Sequence, residues 1–269
     1  MNPTLIIFLY IFLQIFFLLP IKDKRSRRRG FPWVTTLLVA LNVVVYIGVA
    51  FTVYQQPHEP DQPYWLGIYP FMEVPYLIIN HEGLGALSAL TSTYLHADTG
   101  HLLGNMFVLW FFGRKVEDAT GHVSFALLYT LCGFTASLMS VSVNTIITGG
   151  HIPGFGASGA IAGVMGAYLF LYSNEKVLTL VSTWLAPALP VIPGFCFIPI
   201  PIPLWLPAWV FILSQVAKDA LLGQLAIEAY KLGQTLPLGV GVFAHIGGLL
   251  GGMLFIYLFI RPEVVAGQR

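Results

Sequence analysis

Three stretches place polar side chains inside otherwise apolar sequence. They are "HADTGHLLGNM" with His96, His101 and Asn105, "GFGASGAIAGVMGAYLF" with Ser158, and "FAHIGGLLGG" with His245. A serine hydroxyl is a weak nucleophile alone and becomes a strong one beside an imidazole that takes its proton. Two further donors can hold the negative oxygen that forms when a carbonyl is attacked. Serine, histidine and two such donors are together the parts of nucleophilic acyl transfer. Each part also has a plainer reading. Ser158 between Gly156 and Gly159 suits close helix packing, and His101 with Asn105, four apart on one helix face, would simply cross-link helices.

The composition says where these residues must work. The chain has 269 residues, 57% hydrophobic and 9% charged, with a mean hydropathy of +0.78. Soluble domains carry about 25% charged residues, so this is an all-α polytopic membrane chain with the lipid bilayer as its solvent. A net charge of +1 argues against a nucleic-acid partner. Cys132 and Cys196 lie in apolar stretches and read as small buried hydrophobes, offering neither metal spacing nor a disulfide framework. No cofactor and no metal are expected.

Seven spans are expected, at 4–21, 31–53, 100–116, 121–147, 156–173, 205–222 and 239–260. The first is an apolar run followed, not preceded, by the basic "KDKRSRRRG", so it reads as a retained helix and not a cleaved signal. Residues 54–99 are too polar and Pro-interrupted to span and read as an interfacial or re-entrant loop. Residues 177–204 lack charge but hold six prolines, which strip backbone donors that lipid cannot replace, so a surface hairpin is expected. With the basic 22–30 loop inside, eleven of thirteen lysines and arginines fall inside, Lys218 and Lys231 being the exceptions. The amino terminus is then outside and the carboxyl terminus cytoplasmic. A bacterial plasma membrane is expected, since no organelle-targeting pattern appears. Glycines four apart, Gly159 with Gly163, Gly247 with Gly251 and Gly248 with Gly252, would let helix backbones approach closely.

On this topology His101, Asn105 and Ser158 lie near the outer ends of their spans, and His245 about two turns inside the last. A shared depth on three helices is the informative signal, because polar residues in lipid are costly and scattered ones would not align.

"GASG" at 156–159, "HLLGN" at 101–105 and "AHIGG" at 244–248 resemble the three signatures of rhomboid intramembrane serine proteases. The likeness covers about 31–262, and Glu117 in "GRKVED" falls where that family keeps a glutamate. The resemblance implies a six-helix core with one extra N-terminal transmembrane helix. The chain then divides into 1–30 (extra helix and basic loop), a catalytic membrane domain at 31–262, and a short tail at 263–269. It implies Ser158 as nucleophile and His245 as general base. The oxyanion hole would comprise His101, Asn105 and the Ser158 backbone N–H, with Gly156, Gly159, Gly248, Gly252 and Glu117 as motif residues. The substrates implied are transmembrane proteins, cleaved where helix-breaking residues expose a carbonyl.

No acidic residue lies in the last span to orient His245, which suits a Ser–His dyad; Asp98 near the outer face is the one candidate third member. Two departures from the family stand out. Ala162 occupies the position, four after the serine, where an aromatic usually packs on the histidine, so either the imidazole is held less well or another residue supports it. The family's Trp–Arg loop pair is also absent from "ALSALTSTYLH". Competing readings are an inactive rhomboid-like protein that binds membrane clients, supported only by Ala162, and a metal-dependent hydrolase using His96, His101 and His245. The latter would be expected to show H-E-x-x-H, which is absent.

Overall fold

The computed structural model describes residues 2–23, 30–54, 64–183, 202–233 and 241–260. Helix α1 (Pro3–Ile15) passes into strand β1 (Phe16–Asp23), and helix α2 (Trp33–Tyr54) follows. The next segment turns through short 3-10 stretches and two small helices, α3 (Pro75–Ile79) and α4 (Ser88–Thr91). Then come α5 (Thr99–Thr120), α6 (His122–Thr148) and α7 (Ser158–Tyr172). Strands β2 (Lys176–Thr183) and β3 (Ile202–Pro207) precede α8 (Ala208–Lys231) and α9 (Val242–Phe259). Among these, α2, α6, α8 and α9 are long and apolar enough to cross a membrane, and α7 is a shorter apolar helix.

Helix α7 is central, packed by α5, α6 and α9, with α2 lying on the outer side of α5. Glycines make the core possible. A Cβ on Gly248 would overlap the carbonyl oxygen of Gly159, and one on Gly252 the carbonyl oxygen of Gly163. Gly247 and Gly251 face α6 instead, where added methyls would strike Met139 and Thr135. Two neighbouring glycine ridges on α9 therefore serve two different helices, the small-residue contact that replaces hydrophobic driving force in lipid. By contrast α2 leaves Leu37, Leu41, Val44 and Phe51 exposed along one stripe, as suits a lipid-facing surface.

One expected span takes a different form. The run 4–21 is helical only through Ile15; the rest joins a three-stranded antiparallel sheet of order β1-β2-β3. The thirteen residues of α1 extend only about 20 Å, against a hydrocarbon core of about 30 Å. An unbroken apolar run carries no period to separate helix from strand. The 177–204 hairpin is realised in its described arms, as β2 pairs antiparallel with β3. Prolines sit in the two edge strands, at Pro20, Pro203 and Pro207, and none in central β2, where a missing N–H would break a ladder. The register shifts between Pro20 and Lys22. Asp23 at the end of β1 forms a 2.9 Å ion pair with Lys115 of α5. The basic 24–29 stretch, Cys196 and the 263–269 tail lie outside the described residues.

The 64–98 segment is folded against the helices rather than spanning. Ile68, Met72, Val74 and Leu95 form a small apolar cluster with Phe155 packed against it. Its backbone is stitched to the chain leading into α7. Glu73 and Gly154 exchange two hydrogen bonds of 2.9 and 2.7 Å, Tyr76 N–H donates to the Gly150 carbonyl, and Gly156 N–H donates to the Ser92 carbonyl. With no Trp–Arg pair in the sequence, these contacts hold the approach to Ser158. The Glu73 carboxyl is buried between the segment and α6; burial raises it above the usual carboxylate range, with Ser137 and Ser140 pulling the other way.

Candidate active site

Ser158 is the first residue of α7, after a left-handed Gly156 at φ +128°. Glycine is required there twice. Few side chains tolerate that φ, and a Cβ would lie 3.0 and 3.1 Å from Cε1 and Nε2 of His101. The chain can therefore turn tightly beside the His101 ring and present Ser158 at a helix start, where backbone N–H groups are unpaired and the dipole favours an anion.

His245 lies in the first turn of α9, one turn nearer the helix start than expected; residues 234–240 lie outside the described set. Its Nε2 is 2.8 Å from Ser158 Oγ. Its Nδ1 is 2.9 Å from Asp219 Oδ2, on α8. A carboxylate accepts from Nδ1–H, which leaves Nε2 bare to accept the serine proton. The glycine contacts between α7 and α9 set this spacing: Gly159 and Gly248 adjoin Ser158 and His245, so the backbones that carry the pair meet with nothing between them. The His245 side chain keeps 30% of its surface exposed.

Asp219 is the residue that sequence reasoning missed. Asp98, the acid considered for that place, instead caps α5, accepting the His101 N–H at 2.8 Å. The signal was present in α8, where a lone carboxylate sits mid-helix in a span-length apolar run and so needs a partner. Helix α8 also runs on past the expected end at 222, so that Lys231 closes the helix and does not lie in a loop.

His101 and Asn105 occupy the first two turns of α5 on one face, as expected. The Ala97 N–H donates to His101 Nδ1 at 3.4 Å, a long bond that nevertheless favours the tautomer with its proton on Nε2. That nitrogen is the one facing Gly156. The His96 ring meets the His101 ring edge-on, centroids 5.1 Å apart, and steadies it from the other side. Burial lowers His96, outside the spans, to about 4, so its ring is neutral. The Asn105 side-chain amide is buried and its Nδ2 has no hydrogen-bond partner among the described residues, leaving both N–H groups unspent. Ala162 is buried in α7.

Glu117 stands apart, near the other end of α5. Its carboxylate accepts from Val34 N and Thr35 N, both at 2.8 Å, and from Thr35 Oγ1 at 2.6 Å, while His122 Nδ1 lies 2.5 Å away. It thus anchors the start of α2, where a negative charge also complements the helix dipole. Among the described residues, no three His, Cys, Asp or Glu side chains group as a metal-ligand set.

A profile of the rhomboid domain matches residues 85–262, most of the chain. RHOMBOID-like protein 1 of Arabidopsis thaliana is 28% identical over 264 residues, covering 90% of this chain and 57% of its own. Rhomboid protein 1, mitochondrial, of Saccharomyces cerevisiae is 29% identical over 187 residues, covering 68% of this chain and 44% of its own. Rhomboid protease GluP of Bacillus subtilis is 38% identical over 89 residues, covering 33% of this chain and 16% of its own. The chain thus spans a little over half the length of the Arabidopsis relative. With apolar helices long enough to cross a bilayer, it is an integral membrane protein, and it belongs to the rhomboid family.

Proposed function

We propose that this protein is an intramembrane serine endopeptidase that hydrolyses peptide bonds in or near transmembrane segments of other membrane proteins. The observation that carries the reading is the 2.8 Å contact between Ser158 Oγ and His245 Nε2, made by residues 87 apart in sequence. His245 removes the hydroxyl proton as Ser158 attacks the substrate carbonyl, then donates it to the leaving amine. His101 Nε2–H, the Asn105 amide and the Ser158 backbone N–H receive the oxyanion. Water then hydrolyses the acyl-enzyme, His245 taking its proton as it attacks. We assign the catalytic unit to 31–262, with the Ser158 end of the bundle outside. The basic 22–30 loop and the carboxyl terminus then face the cytoplasm. A helical substrate segment keeps its carbonyls hydrogen-bonded, so cleavage favours segments with helix-breaking residues near the outer boundary.

A fluorophosphonate probe tests this directly. The full-length protein in detergent should be labelled at Ser158, lose labelling in Ser158→Ala, and keep it in the presence of chelators. An unlabelled wild-type protein that still binds a transmembrane client would favour the inactive, client-binding reading. Cleavage that survives Ser158→Ala but stops with chelator would favour a metal-dependent one.

A further inference from the structure

Two charged residues that a dyad leaves unexplained lie on α8. Lys218 and Asp219 sit mid-helix in a segment apolar enough to cross a membrane. A carboxylate there is costly and must be compensated. Asp219 is 18% exposed and its Oδ2 lies 2.9 Å from His245 Nδ1, on the side of the ring away from Ser158.

We propose that Asp219 is a positioning residue that makes the proposed Ser158–His245 pair a triad. The inference rests on that proposed reading. Asp219 accepts from Nδ1–H, so the neutral ring keeps its proton on the distal nitrogen and Nε2 stays open to the serine. When the serine proton moves to Nε2, the ring becomes a cation, and the carboxylate stabilises it without itself taking a proton. Asp219 thereby supplies the support that an aromatic at position 162 would otherwise give. It does so from α8, a helix that carries neither the nucleophile nor the base.

Among the described residues, the ionisable groups around His245 are Asp219 with its neighbour Lys218 on α8, His101 on α5, and Ser158 on α7. Of these, only Asp219 carries a negative charge next to the ring.

The test compares Asp219→Asn, Asp219→Ala and Asp219→Glu with the wild type, each full-length in detergent and checked for monodispersity and Tm. A transmembrane model substrate reports kcat and KM across pH, and fluorophosphonate reports the labelling rate. The proposal expects kcat to fall about 10²-fold in Asn and Ala with KM little changed. Labelling should slow in step, and the acidic limb of the kcat profile should move to lower pH because the cation has lost its partner. Asp219→Glu, which restores the charge, should recover a substantial part of kcat. If Asn and Ala fold, stay within twofold of wild-type kcat and keep the same profile, Asp219 is only a tie between α8 and α9 and the proposal fails. Should either variant fail to fold, Asp219→Glu decides: retained kcat with an unshifted profile supports the triad, and folded protein with kcat as low as a mutant base overturns it. A wild type that neither labels nor cleaves defeats the protease reading itself, an outcome distinct from all of these.

Discussion

Helix α9 meets α7 on one side and α8 on another, and the two contacts are built on different principles. Against α7, backbone touches backbone: Gly159, Gly163, Gly248 and Gly252 leave no side chain between the helices, and Gly166 lies against the Leu249 carbonyl. Against α8, side chains do the joining. Val242 packs with Leu222, Leu225 and Ala229, in a cluster that also takes in Ile6 of α1. Beyond it lies one polar link, Asp219 to His245. A backbone contact has no rotamers and holds a distance rigidly, whereas a side-chain contact can repack. The serine and imidazole, which must stay within hydrogen-bond reach, are placed across the rigid seam. The carboxylate, which only orients and screens, is placed across the softer one.

The rigid seam should break most severely. In Gly248→Val the new side chain would meet the Gly159 carbonyl, which is backbone and cannot swing away. The strain exceeds the usual overpacking cost of about 1–3 kcal/mol, so little monodisperse protein should be recovered by size-exclusion chromatography. Next comes Glu117→Ala, which removes a buried carboxylate and its bonds to the start of α2. A loss of about 3 kcal/mol is expected, read as a large drop in Tm. Glu117 lies sixteen residues along α5 from His101, about 24 Å away, so the kcat of the surviving folded fraction should hardly change. Stability and chemistry then separate cleanly along one helix.

The seam was legible in the sequence and the soft contact was not. Glycines four apart announce close helix approach whatever their partner, and Ser158, His101, Asn105 and His245 stood out as polar residues in apolar runs. Their shared depth followed from counting spans. Asp219 obeys the same rule of costly burial, but a span ending at 222 leaves it close to the expected end, whereas the extent of α8 to Lys231 is set by packing against α1 and α9 and not by local composition. β1 was hidden for a related reason. Its apolar residues fit a membrane helix as well as a strand, and the β2 residues that pair with it lie some 160 positions away. Glu117 was recognisable only by family likeness, since nothing local says that its partners are the N–H groups of Val34 and Thr35.

The soft contact can be tightened without touching a charge. In Gly223→Ala the added methyl would come 2.7 Å from Val242 Cγ2 and 3.2 Å from Phe243 Cζ. Both are side-chain atoms, so α8 can shift slightly rather than unfold, at about 1 kcal/mol. If α8 delivers Asp219 to His245, a few-fold loss of kcat should accompany this small loss of Tm. In the Asp219→Ala background the same substitution should leave kcat alone, a double-mutant comparison that tests coupling between the two positions.

The smallest effect lies on the opposite flank of the site, where His96 steadies His101. Burial holds His96 at about 4, against an ordinary 6.5. The unfolded chain therefore takes up a proton on this residue as pH falls through 6.5, and the folded chain does not until about 4. Its contribution to stability is complete above pH 6.5 and is lost progressively between there and pH 4. Glu73, raised by burial, works in the opposite sense: the folded chain binds its proton first, so it adds stability as pH falls. The net decline in Tm from pH 7 to 5 should be modest in the wild type. In His96→Leu, which removes this proton uptake, the decline should be shallower than in the wild type. If both proteins melt in parallel across that range, the neutral, buried state of His96 is wrong.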